Sequence, residues 1–228
     1  MKTLRGIILD VDGTLIDSNH AHAESWVRAL GEYGIVTTYA EVREKIGMGG
    51  DNLLPAVSDI EEDSEKGKKI SRRRAEIFQI EYLPYLKPFK KTRQLIQFFQ
   101  QEGVKMVVAS SSSKEDLQGL LKMAHVDDLL PQRTSKDDVE VSKPAPDIIQ
   151  AALKKLQIPA SNTVMLGDTP YDIIAAQKAG VETIALTCGG WSAKDLSGAV
   201  AIYRDPEDFL WHLEKNGRPE ISGDSKHR

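Results

Sequence analysis

The sequence lacks the features that would place it in several large classes. Cys188 is its one cysteine in 228 residues, so no internal disulfide can form and no paired Cys/His spacing offers a zinc site. It has no basic excess: 30 Lys and Arg against 34 Asp and Glu leave a formal charge of −4, which favours solubility and gives no reason to expect a nucleic-acid partner. No apolar run reaches the length of a membrane span, and that in "MKTLRGIILD" is too short for a secretory signal. With 40% hydrophobic and 28% charged residues the composition is that of a globular protein. The expectation is a cytoplasmic enzyme or binding protein with no membrane partner, monomeric by default.

Short apolar runs rich in β-branched residues are present: "GIILDV" (6–11), "VKMVVAS" (104–110), "TVMLGD" (163–168), "ETIALT" (182–187) and a weaker "AVAIY" (199–203). Runs apolar on both faces, separated by amphipathic helices, predict a parallel sheet covered on both sides. Helical pattern is readable near 89–102, 114–124, 146–157, 170–179 and 205–214. The fold class is therefore α/β, a Rossmann-like doubly wound parallel sheet.

Residues 17–87 break the alternation, with helical pattern and no convincing strand. A segment of roughly 70 residues is too long for a loop, so a small helical domain is expected there, inserted in a core made of 1–16 and 88–216. Within it, Trp26, Leu30 and Tyr33 share one helical face, and Arg72–Arg74 lie in a charge-laced stretch that reads as a solvated face. The polar tail, 217–228, is expected to be flexible.

In an open α/β sheet, ligands bind beyond the carboxyl ends of the strands. Asp10 and Asp12, Ser110 and Asp168 end three separate apolar runs and would meet on that rim. Asp12-Gly13 reads equally well as a turn after a polar strand end. A period of two, however, puts both carboxylates on one side, where mutual repulsion calls for a hard divalent cation, Mg²⁺ by preference. Ser113 and Asp116 match a capping box, which leaves Ser110 free to meet an anion. Lys143 in "SKPAPD" reads alone as a surface lysine. Thr169 and Asp172 fit a helix start, whereas Asp168 has no such explanation.

Taken in order, these pieces resemble the haloacid dehalogenase superfamily over residues 4–214. Asp10-Val11-Asp12-Gly13-Thr14 matches the DxDGT motif, Ser110 the second motif, Lys143 the third and "GDTPYD" the fourth. The 17–87 insertion is placed like that family's first type of helical cap, as in the phosphoglycolate phosphatase and β-phosphoglucomutase-like subfamily. The resemblance implies an aspartyl-phosphate on Asp10, proton transfer by Asp12, and phosphoryl contacts from Ser110, Ser111 and Lys143. It also implies Mg²⁺ held by Asp10, the Asp12 backbone, Asp168 and, from nearby, Asp172.

Asp12 opposes the dehalogenase and phosphonate-hydrolase branches of that family, which place another residue there. A sugar-phosphate mutase shares motif one, and His22 in "HAHAESW" matches a mutase-like spacing. Against it stand Gly167-Asp168, Thr14-Leu15 and the lack of arginine in "KIGMGGDNLL" (45–54). A non-catalytic binding protein would have no need of both aspartates with Lys143 and Asp168. The expected function is thus a phosphatase acting on a small phosphorylated metabolite. His22, Gly47, Asp51 and Asn52 are its candidate substrate contacts; the loop 45–54 also reads as a plain helix connection.

Overall fold

The computed structural model describes residues 4–217, and the tail beyond Gly217 lies outside them. Six parallel strands form one sheet: β1 (Gly6–Leu9), β2 (Lys105–Ala109), β3 (Arg133–Thr134), β4 (Thr163–Gly167), β5 (Glu182–Leu186) and β6 (Ala201–Tyr203), in the order β3-β2-β1-β4-β5-β6. The chain builds outward from β1 on one side, then returns to add β4 on the other. The switch point therefore falls between the carboxyl ends of β1 and β4, where such sheets bind ligands.

Side-chain alternation explains the two covered faces. Ile7 and Leu9 of β1, Val108 of β2 and Val164 and Leu166 of β4 pack with Leu95, Ile96 and Phe99 of α5 (Thr92–Gln101), Leu117 and Leu120 of α6 (Lys114–Met123), and Phe209 of α9 (Pro206–Asn216). Ile8, Val107, Ala109 and Met165 point the other way, onto Ile148, Ile149 and Ala152 of α7 (Asp147–Leu156) and Ala175 and Ala176 of α8 (Pro170–Lys178). Both faces are buried, which is why the strands read as continuous apolar runs. The two-residue strand β3 escaped the sequence reading because it is too short to show a period.

Four α-helices precede α5 in the segment after β1: α1 (Asn19–Glu32), α2 (Tyr39–Arg43), α3 (Gly50–Val57) and α4 (Glu65–Ile77), the last running into a π-helical turn at Phe78–Tyr82. They have their own apolar cluster, in which Trp26 and Leu30 of α1 meet Val42, Ile46, Leu53, Leu54, Ile70 and Ile77. Entry and exit run side by side. The Asp17 amide donates to the Lys87 carbonyl at 3.1 Å, the Phe89 amide to the Leu15 carbonyl at 3.2 Å, and Ile16 bridges Pro88 in antiparallel fashion. No helix of the described residues is long and apolar enough to cross a membrane.

Candidate active site

At the switch point the chain leaves β1 while still bonded to its neighbour: the Asp10 amide donates to the Leu166 carbonyl of β4 at 2.9 Å. A tight turn follows, with three amides from Thr14 to Ile16 donating to the Val11 carbonyl. Gly13 sits in it at φ +74°, and a Cβ there would strike the side chains of Asn19 and Asp168. Only glycine allows both that conformation and that approach.

The turn delivers the two aspartates into different surroundings. Asp10 forms a buried group with Asp168, which ends β4, and Asp172 in the first turn of α8; an oxygen from each lies within 4.8 Å of the others. Lys143 Nζ, 1% exposed, donates to Asp10 Oδ1 at 2.6 Å and to the Ala109 carbonyl at 2.9 Å, and pairs with Asp172 Oδ1 at 2.7 Å. The Thr14 hydroxyl donates to Asp168 Oδ1 at 2.9 Å and reaches Asp10 Oδ2 at 3.2 Å, while Asn19 Nδ2 donates to Asp168 Oδ2 at 2.8 Å. Asp172 also serves the helix, as its other oxygen accepts from the Thr169 amide and hydroxyl.

Asp12 stands outside that carboxylate group. Its Oδ1 accepts from Ser18 Oγ at 2.6 Å and lies 2.7 Å from His22 Nε2; its Oδ2 accepts from Ser112 Oγ at 2.9 Å and lies 3.5 Å from Ser110 Oγ. The two aspartates of motif one coexist because they are separately satisfied, not because their side chains share one counter-charge.

Burial raises Asp10 to about 7; Lys143 opposes this, and Asp172 and Asp12 add to it. Burial also lifts Asp168 well above the carboxylate range, helped by Asp10 and Asp172. For Asp12, burial is outweighed by His22 and the hydroxyls of Ser18 and Ser112, leaving it at about 2. Burial alone would lower Lys143, but Asp10 and Asp172 hold it above its ordinary value. Three buried carboxylates with one ammonium form an all-oxygen, anionic donor set, the chemistry that suits a hard divalent cation.

Asp10 and Asp12 open onto a cavity of about 50 Å³, also lined by His22, Trp26, Met48, Leu53, Arg74 and Ser112. By the ~10–15 Å³ that one water needs, this holds roughly three to five water-sized groups, a small substrate's reacting end.

Several expectations change here. Ser110 is wholly buried, and its hydroxyl accepts from the Ser112 amide at 3.1 Å; Ser112, unremarked in "SSSS", lines the cavity instead. Ser111 also lines it, donating to the Gly47 carbonyl at 3.3 Å. His22 and Gly47 are on the cavity wall, but Asp51 and Asn52 are not. Asp51 accepts from the Ser142 amide at 3.0 Å, and Asn52 donates to the Ser142 and Lys143 carbonyls, each at 3.2 Å. These two clasp the lysine loop because α3 starts against it.

Arg74 corrects the solvated reading of Arg72–Arg74: it is buried and lines the cavity. The Ser113 cap is confirmed only in part, since Ser113 accepts from the Asp116 amide while the Asp116 carboxylate turns to Arg74 and Gln79. Cys188, half-buried with its thiol pushed up by burial, is not a reactive thiolate.

The model of the haloacid dehalogenase-like hydrolases matches residues 7–186, most of the chain and every strand but β6. The chain belongs to the haloacid dehalogenase-like hydrolase family. It is 25% identical over 203 residues to pyrophosphatase PpaX of Oceanobacillus iheyensis, covering 89% of this chain and 91% of that one. A crystal structure of a hydrolase from Pseudomonas syringae superposes with a TM-score of 0.87 at 28% identity, covering 94% of this chain and all of that one. CbbY from Rhodobacter sphaeroides, solved with phosphate, shares the fold at TM-score 0.75 and 20% identity over 91% of this chain and 96% of that one. The chain is accordingly a hydrolase of that family.

Proposed function

We propose that this hydrolase is Mg²⁺-dependent, cleaves a phosphoryl group from a small phosphorylated metabolite and carries that group on Asp10. The observation behind this reading is the pairing of Lys143 with Asp10 at 2.6 Å beside Asp168 and Asp172, at the mouth of a cavity that Asp12 shares. A carboxylate attacks a phosphate dianion only where positive charge offsets the repulsion. Lys143 supplies one such charge; a cation held by Asp10, Asp168 and Asp172 would supply the other and polarise the phosphoryl oxygens.

The remaining roles fall to residues already placed. Asp10 Oδ2, turned away from Lys143, is the attacking oxygen. His22 Nε2, 2.7 Å from Asp12 Oδ1, orients the carboxylate. Approach of the phosphate's negative charge favours protonation of the Asp12 carboxyl, which then passes that proton to the leaving oxygen. Once ionised, Asp12 accepts a proton from the water that hydrolyses the acyl phosphate. Ser112 and Ser18 fix the carboxylate for both steps.

The direct test is phosphate release from p-nitrophenyl phosphate with Mg²⁺ and with EDTA. Turnover that requires the metal is expected; equal rates under both conditions would refute metal dependence. Conversion of β-glucose 1-phosphate with no free phosphate would instead make the chain a mutase.

Metal binding should also depend on pH. Below about 7 a proton occupies Asp10, and it must leave before the carboxylate can ligate. Asp168, also raised by burial, must give up its proton too, so the apparent Kd for Mg²⁺ is expected to weaken by at least about tenfold for each pH unit below 7. Calorimetry in two buffers of different ionisation heat should detect proton release near pH 6.5. Affinity that stays flat from pH 6 to 8 would contradict it.

A further inference from the structure

Arg74 and Asp116 form a charged pair that the chemistry above does not use. Arg74 lies on α4 of the inserted segment and is 8% exposed; Asp116 lies on α6 of the core and is fully buried. Arg74 Nη1 donates to Asp116 Oδ2 at 3.1 Å, and Gln79 Nε2 donates to Asp116 Oδ1 at 2.7 Å. Both carboxylate oxygens are thus taken by the inserted segment. The guanidinium lies over the Trp26 ring, 5.3 Å from its centroid, which fixes its plane.

One feature of the guanidinium is left unexplained by packing. Its Nε is buried and has no hydrogen-bond partner, although a buried donor without an acceptor is costly. Arg74 is also the one residue with a fixed positive charge among the described residues lining the cavity. A rigidly held guanidinium on the wall of a small cavity, with hydrogen-bonding capacity left unused, is a receptor for an oxyanion.

The cavity limits how far from the phosphorus that oxyanion can sit, because Asp10, Asp12 and Arg74 all line the same space of about 50 Å³. His22, which touches Asp12, and Trp26, which carries Arg74, are four residues apart on one face of α1, so both ends of that space are held by one helix. We infer that Arg74, positioned by Asp116, selects substrates bearing a second negative group within a few bonds of the phosphorus: a diphosphate or a short phosphorylated acid. The assignment rests on the phosphoryl-hydrolase reading for the first group and on Arg74 alone for the second. Asp116 is a positioning residue, and because it belongs to the core, the cation is set in place only when the inserted helices lie against α6.

The test compares methylenediphosphonate with methylphosphonate, neither of which can be hydrolysed, by calorimetry with Mg²⁺. The wild type is expected to bind the diphosphonate at least tenfold more tightly. Arg74→Gln should erase most of that preference, Arg74→Lys should keep part of it, and Asp116→Asn should reduce it several-fold. The double variant Arg74→Gln/Asp116→Asn leaves no unpaired buried carboxylate and guards against misfolding; it should behave as Arg74→Gln does. In turnover, the ratio of kcat/KM for pyrophosphate over p-nitrophenyl phosphate should fall at least tenfold in Arg74→Gln, whereas a structural role would lower both and leave the ratio unmoved. A diphosphonate preference that persists without Arg74, or is absent from the wild type, overturns the inference. A wild type that binds the diphosphonate through Arg74 yet releases no phosphate from either substrate refutes the hydrolase reading alone.

Discussion

Replacing Asp10 by asparagine is expected to reduce turnover by 10⁴-fold or more, on the order seen when a covalent nucleophile is deleted. The amide keeps the shape of the side chain but cannot form the acyl phosphate, so brief incubation with a ³²P-labelled substrate and acid quenching should leave label on the wild type and none on the variant. A labelled Asp10→Asn protein would place the nucleophile elsewhere. The same variant should be no less stable than the wild type above pH 7, a sign opposite to that of most buried substitutions. Asp10 rises from 3.8 to about 7 on folding, chiefly through burial. The unfolded chain therefore gives up this proton first as pH rises, and the folded protein loses stability between about pH 4 and 7. The loss is of the order of 4 kcal/mol once both forms are ionised. Asparagine escapes it, at the cost of giving Lys143 a weaker acceptor. Urea denaturation in EDTA should show the two proteins converging near pH 4 and the variant at least matching the wild type at pH 8. A variant markedly less stable at pH 8 would mean that the Lys143 attraction, not burial, governs Asp10.

How much of this was legible in the sequence differs between the sheet and the site. Strands β1, β2, β4 and β5 announce themselves because burial on both faces leaves a continuous apolar run, and their polar ends at Asp10, Ser110 and Asp168 follow directly. The sequence reading missed β3, two residues long, though its Thr134 carbonyl accepts from the Ser110 amide and so helps to set the serine strand end. Ser18, Asn19 and Ser112 now complete the surroundings of Asp12 and Asp168. Their signal was proximity alone: "DSNH" follows the motif-one turn, and Ser112 is two residues past a strand end. Nothing in spacing says which of four serines will turn inward. Arg74 was misread for a physical reason. Composition cannot distinguish a charged helix face that meets water from one that meets a buried carboxylate 42 positions away. Asp51 and Asn52 show the reverse error, polar loop residues assigned to substrate that instead satisfy the backbone of the Lys143 loop.

Lys143→Met is the second large effect. Lysine has three donors, and here each has a partner: Asp10, Asp172 and the Ala109 carbonyl. Methionine preserves most of the apolar stem, so what is removed is the charge. Two buried carboxylates then face each other without it, and breaking a buried pair in this way costs about 3–5 kcal/mol. Turnover should fall by about 10²–10³-fold, the loss that follows removal of one preorganised electrostatic contact to the reacting group. The stability deficit should depend on pH with a definite sign. Without the ammonium, Asp10 moves further up from about 7, so the folded protein is penalised most where the carboxylates must be ionised. The deficit should be large at pH 8 and shrink towards pH 5, as protonation removes the repulsion that Lys143 had offset. Adding Asp10→Asn to Lys143→Met removes one of the stranded charges and should recover part of the loss, with a coupling of about 1–3 kcal/mol in the double-mutant cycle. Equal deficits at pH 5 and pH 8, with no coupling to position 10, would show that the lysine serves packing rather than charge. The electrostatic role assigned to it in phosphoryl attack would then fail as well, since both rest on the same three contacts.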